Sequence, residues 1–243
     1  MKNALLAVVI LAAAVSLPIS ASAYVLGHTQ PGKWGAAEYG TPGGAVTWSL
    51  MSTGVSCAAE TNGCAITALA DFLPESFLPA VQNAFSAWSA VADISFTQIA
   101  DNAIAFNGAG AMADIRLGGH FFDGAGGVLA HGFFPPVSGV TAAGDIHFDI
   151  DDLWKIGIGG AGFDFFTVLA HEIGHAIGLN HTAVAGSLMN PFYSETINGP
   201  QADDIAGARF LYGAAATVPE PATLALMGVA LAGLTLRRRA TAV

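Results

Sequence analysis

The chain has 243 residues, 53% hydrophobic and only 11% charged, with 18 acidic against 8 basic residues and a net charge of −10. An acidic excess of this size excludes a nucleic-acid-binding surface, which needs a clustered basic face, and suits cation binding on an exported chain. Half of the basic residues, Lys2 and Arg237, Arg238 and Arg239, sit in two end segments that read as processing signals, so the remainder has room for one domain and no second core.

Residues 1–23 carry one early lysine, an apolar run over 4–15, Pro18 and the small-x-small triplet Ala21, Ser22, Ala23. That is the layout of a signal peptide cleaved before Tyr24; the run is too short for a membrane anchor. Residues 45–51, rich in β-branched and aromatic side chains after Pro42-Gly43-Gly44, predict a first strand. Cys57 and Cys64 are close together in an exported protein and predict a short-loop disulfide. Over 77–92, Phe77, Val81, Ala84, Phe85, Trp88 and Val91 recur at helical spacing and predict an amphipathic helix packed on the sheet. Four more strands are expected at 94–99, 113–117, 127–133 and 145–149, then helices at 163–179 and 202–212. Asp203 and Asp204 open the last helix and read as charges offsetting its dipole, with no further function.

Residues 171–181 read H-E-I-G-H-A-I-G-L-N-H. His171 and His175 are one helical turn apart and can share one ion. Gly178 lets the chain leave the helix through a backbone conformation that a Cβ resists, so that His181 returns as third ligand. Three neutral imidazoles leave Zn²⁺ one open position, the arrangement of a catalytic site, with Glu172 beside it as general base.

Met189 follows in S-L-M-N-P-F-Y, with Pro191 and Tyr193 after it. On these residues the chain resembles the matrixins, metzincin zinc proteases whose zinc helix is followed by a methionine turn and Pro-x-Tyr. The segments V-T-W-S-L, A-F-S-A-W, A-D-I-R-L, L-A-H-G-F and D-D-I-A-G-A-R-F-L-Y-G extend the resemblance over about 170 residues of a catalytic domain expected at 24–217. It implies an α+β metzincin fold: a twisted mixed five-stranded sheet, three helices and the methionine turn. It also implies that Pro191 and Tyr193 wall the pocket for the residue after the scissile bond, and that Leu129 and Ala130 lie on the edge strand that pairs with an extended peptide. His120, His131 and His147 match a structural zinc site. The family's aspartate two residues after the first of these histidines is replaced by Phe122, so the motif lacks a fourth ligand. Asp123, Asp149 and Asp152 match a calcium site with carbonyls of Gly124, Gly126 and Val128, while Asp114 and Asp145 match a second, less complete one. The family's cysteine-containing latency segment is not expected.

The tail begins Val218-Pro219-Glu220-Pro221, continues with an apolar run over 222–236 and ends in the arginine cluster. It resembles the PEP-CTERM sorting signal, which implies an exosortase-type partner, transient membrane association through a transmembrane helix, and delivery to the envelope or extracellular matrix of a Gram-negative bacterium. The expected function is secreted zinc endopeptidase acting on protein or peptide substrates. The alternative is a catalytically silent matrix or adhesion protein stabilised by zinc and calcium, and against it stands Glu172, a carboxylate that zinc binding alone does not require.

Overall fold

The computed structural model describes residues 23–135 and 141–216; the expected signal peptide up to Ser22 and the sorting tail lie outside them. In chain order come β1 (Val25–Leu26), β2 (Gly44–Leu50), a one-turn α1 (Leu69–Phe72), α2 (Phe77–Ser89), β3 (Ile94–Gln98), β4 (Ile115–His120), β5 (Ala130–Gly132) and β6 (Ile146–Asp149). They are followed by β7 (Trp154–Lys155), β8 (Phe163–Asp164), α3 (Phe165–Ala176), β9 (Leu179–Asn180) and α4 (Ala202–Tyr212).

The main sheet is five-stranded and mixed, in the order β3-β2-β4-β6-β5. β2 runs parallel to β3 and β4, β4 parallel to β6, and β5 antiparallel to β6 at the edge. β4 and β6 are buried along their whole length, as strands covered on both faces must be. Arg116 on β4 is fully buried and is tolerated there because Asp101 accepts from its Nε at 2.8 Å and its Nη2 at 3.1 Å. The strand expected at 127–133 shrinks to three residues. The Asp123 carboxylate accepts from the Val128 amide and folds the preceding glycines into a loop instead.

α2 presents Phe77, Val81, Ala84, Phe85 and Trp88 to the core, as its spacing predicts, with Phe85 stacked on Trp48 of β2 at 5.0 Å. It also packs on α3, where the buried Trp88 indole donates to Ala170 O at 2.9 Å. α3 is shorter than the expected 163–179 helix. Asp164 caps its start by accepting from the Thr167 amide at 3.0 Å, and Gly178, at φ +107°, turns the chain out after Ala176. The carbonyls left open by that exit are satisfied by Trp34 Nε1 on Ala176 O at 2.8 Å and Tyr212 Oη on Ile177 O at 2.7 Å. β1 pairs antiparallel with β9, immediately before His181.

A second, smaller core gathers Met51, Val55, Cys57, Ile66, Phe106 and Ala142 under the loop closed by the Cys57–Cys64 disulfide, which is present as expected. Among the described residues no helix is long and apolar enough to cross a membrane; the expected membrane helix of the tail is not among them.

Candidate metal centres and cleft

α3 carries His171 and His175 on one face, and the Gly178 exit brings His181 back to meet them. The Nε2 atoms of His171 and His175 each lie 3.1 Å from His181 Nε2. Their Nδ1 atoms donate to carbonyls, His171 to Leu188 O at 2.6 Å and His175 to Leu179 O at 2.8 Å, so both rings present bare Nε2 lone pairs to the same point. A neutral His181 can offer one proton between them, which leaves a nitrogen facing a nitrogen. A cation resolves that geometry, and the three imidazoles fit zinc. Burial pushes His171 down to about 4 and His175 to about 3, keeping both rings neutral and ready to ligate.

Glu172 sits behind this cluster, 5% exposed, with its Oε2 lacking any hydrogen-bond partner. Burial raises its carboxyl to about 8, with a smaller opposing pull from the Gly132 amide. The cleft in front is a cavity of 440 Å³ lined by His171, Glu172, His181, Leu129, Ala130, Pro191 and Tyr193, among others. All four residues expected to contact substrate therefore border it. Ala130 lies on β5, while Leu129 lies just before that strand, its carbonyl accepting from the Asp149 amide at 2.9 Å. Tyr193 is held in the wall because its hydroxyl accepts from the Asp164 amide at 2.8 Å, and Glu195 beyond it pairs with Lys155.

Met189 is buried, and a Cβ on Gly174 of α3 would fall 2.2 Å from its sulfur, so only glycine lets the turn come this close. Asp204 organises that turn. Its carboxylate accepts from Ser187 Oγ, from the Leu188 amide at 2.7 Å and from the Met189 amide at 3.1 Å. The sequence reading gave Asp204 only a role at the helix dipole, and no local signal links it to residues 15 to 17 positions earlier.

His120, His131 and His147 also come together, and Glu60, which the sequence reading left unassigned, joins them. Burial alone would raise Glu60, but the adjoining imidazoles of His120, His131 and His147 outweigh it and hold the carboxyl well below the usual range. Asp123, Asp149 and Asp152 surround the 123–128 loop. Asp149 accepts from the Gly124 amide at 3.1 Å, Asp152 accepts from the Gly126 amide at 2.7 Å, and Asp152 Oδ2 is buried without a partner. Burial, followed by repulsion from Asp149 and Asp123, raises Asp152, which is the electrostatics of a loop that gains from a cation. Asp114 and Asp145 have duties inside the protein: Asp114 accepts from Thr47 N and Oγ1 at 2.8 and 2.7 Å, and Asp145 accepts from the Arg116 amide at 2.9 Å. No third His, Cys or acidic group gathers with those two among the described residues.

A family model described as matrixin matches residues 64–213. The chain belongs to the matrixin family. A second model, the PEP-CTERM protein-sorting motif, matches residues 217–239. Among curated matrixin relatives, karilysin of Tannerella forsythia is 38% identical over 153 residues, covering 60% of this chain and 30% of karilysin. Human stromelysin-3 is 40% identical over 137 residues, 54% of this chain and 26% of its own length, and human matrix metalloproteinase-17 is 42% identical over 126, 48% and 19%. The chain thus spans less than a third of the length of each of these relatives. Matrixin membership carries the metzincin fold, and the five-stranded mixed sheet, the longer helices α2, α3 and α4 and the methionine turn agree with the architecture the motifs imply.

Proposed function

We propose that residues 24–217 form an exported zinc endopeptidase. The observation that carries this reading is the pairing of an open three-imidazole cluster with a buried carboxylate, Glu172, whose Oε2 has no hydrogen-bond partner, in one cleft beside the edge strand β5. A silent matrix protein would gain nothing from an unpartnered buried Glu172, since such a group costs stability.

An extended peptide lies along β5, making main-chain hydrogen bonds with the Ala130 strand, and places the side chain after the scissile bond against Pro191 and Tyr193. His171, His175 and His181 would hold zinc, which when bound would supply Lewis-acid chemistry toward the scissile carbonyl and a water. Glu172 takes the proton of the attacking water at its carboxylate and later delivers it to the leaving amine nitrogen. That a relative carries the name matrix metalloproteinase-17 supports protein or peptide substrates. Calcium at Asp123, Asp149 and Asp152 stabilises the loop that leads into β5.

The PEP-CTERM match supports export through residues 1–23, exosortase-type processing of residues 218–243 after brief membrane association, and a final place in the envelope or extracellular matrix of a Gram-negative bacterium. Incubating the purified protein and Glu172→Ala with a diverse peptide library, with and without a chelator, tests the reaction. We expect chelator-sensitive cleavage, lost by a factor on the order of 10² to 10⁴ in the variant while its zinc content is unchanged. Near-normal cleavage by zinc-loaded Glu172→Ala overturns the mechanism.

A further inference from the structure

The second histidine cluster lacks the aspartate of the family's motif, and Phe122, the residue in that place, does something else. Phe122 stacks flat on His131, with centroids 4.6 Å apart and planes at 10°, and meets His120 edge-on at 4.4 Å, covering the imidazoles with an apolar ring. A carboxylate arrives from a different element. Glu60 Oε1 lies 2.9 Å from His120 Nε2 and 2.8 Å from His131 Nε2, and Glu60 Oε2 lies 2.6 Å from His147 Nδ1. Glu60 falls outside the stretch matched by the matrixin family model, which begins at residue 64.

The contacts are not those of a satisfied hydrogen-bond cluster. His120 Nδ1 donates to Phe121 O at 2.9 Å, so its Nε2 meets Glu60 either as the second donor of a charged ring or, in a neutral ring, across a shared cation, and the Nε2 of His147 is buried without a partner. His131 Nε2 is as close to Glu60 as a hydrogen bond requires, yet it is out of line and has no bonding partner. The four donor atoms lie within 4.8 Å of one another, and three imidazoles with one carboxylate are a complete tetrahedral donor set for zinc.

The loop that carries Glu60 is built to hold it. Cys57 and Cys64 close it with a disulfide, the Cys57 amide donates to Cys64 O at 3.1 Å, and the Glu60 amide donates to Cys57 O at 2.9 Å. Cys57 is fully buried in the small core beneath. Without the cross-link, the loop ends are tied through backbone bonds alone, and fixing Glu60 costs more chain entropy.

We propose that Glu60 is the fourth ligand of a zinc ion held by His120, His131 and His147, and that the Cys57–Cys64 disulfide makes retention of that ion depend on oxidation of the loop. The bond forms when the two thiols lose two protons and two electrons to a disulfide oxidant of the export compartment, and a dithiol reductant returns them. Export and closure of this metal site are thereby linked.

Zinc per chain, counted by native mass spectrometry of the full protein, tests the assignment separately from the peptidase reading. The wild type should hold two ions, and Glu60→Ala and His175→Ala one each. The double substitution Cys57→Ser with Cys64→Ser should release the Glu60-bound ion to a chromophoric chelator roughly 10 to 100 times faster, the range for loss of a ligand's supporting contact. Two ions in Glu60→Ala with unchanged release, or a wild type whose single ion disappears in His175→Ala, overturns the ligand assignment; unchanged release from the cysteine variant overturns the role of the disulfide. Anomalous diffraction at the zinc edge from wild-type crystals needs no variant to fold. A peak within about 2.2 Å of a Glu60 oxygen supports the site, and one bound to the histidines with Glu60 turned away overturns it.

Discussion

His171, His175 and His181 present three imidazole nitrogens toward a cleft and leave the fourth direction open, with the Glu172 carboxylate close by and its Oε2 without a partner. His120, His131 and His147 meet Glu60 in the fourth direction and are covered by Phe122. The two glutamates consequently behave in opposite ways. Burial lifts Glu172 to about 8, whereas three imidazoles hold Glu60 far below an ordinary carboxyl. An open site with a proton-hungry carboxylate fits turnover, and a closed one with a charge-compensated carboxylate fits architecture.

That contrast can be broken most strongly by pH. In metal-free protein the native state holds the Glu172 proton between the unfolded carboxyl value of 4.5 and about 8, where the unfolded chain has lost it. The corresponding stability is complete below 4.5 and disappears as pH rises toward 8, a loss on the order of 4 kcal/mol. His171 and His175 act in an overlapping window with the opposite sign, because their folded values are depressed and stability drops as pH decreases from 6.5 toward 4; they do so in both proteins and cancel in a comparison. Glu172→Gln removes only the Glu172 dependence, so urea unfolding of the metal-free proteins should show the wild type losing stability relative to the variant between pH 5 and pH 8. A wild-type-to-variant difference that does not change with pH would mean that Glu172 is not buried as described.

A smaller effect sharpens the support of the open site. Asp204→Ala leaves two buried amides and the Ser187 hydroxyl without their acceptor and should cost about 2–4 kcal/mol by urea unfolding, with zinc affinity at the His171 cluster falling more than at the His120 cluster. A comparable loss at both clusters would mark Asp204 as a general stabiliser only. Gly174→Ala pushes a methyl group against Met189 and should cost about 1–3 kcal/mol, read as a lowered Tm. Smallest is the calcium effect: Asp149→Ala should abolish the rise in Tm that millimolar calcium gives the wild type, and an equal rise in both proteins would disprove that site.

How much could be read in advance follows from sequence distance. The open cluster was legible because residues 171–181 hold all three imidazoles, and one helical turn plus one glycine fixes their geometry. The helix 77–92 and the strand order's raw material were legible from periodicity. Glu60 was not, because it meets histidines 60 to 87 positions away and its loop has no pattern of its own; the disulfide flanking it was the signal available. Asp204 was visible as a helix-start acid, yet its partners are set by how α4 packs against the methionine turn. The strand expected at 127–133 was overcalled because its alternation extends into glycines that Asp123 pulls into a loop.

The last helix has a consequence for timing. Asp204 fastens the methionine turn, and Tyr212, at its end, caps the exit of the zinc-binding helix at Ile177. A ribosome delivers these residues after every histidine of the chain, so a nascent polypeptide carries the whole histidine sequence without the parts that hold it in shape. Under the proposed function, hydrolytic competence waits for α4, the last element of the domain to be made.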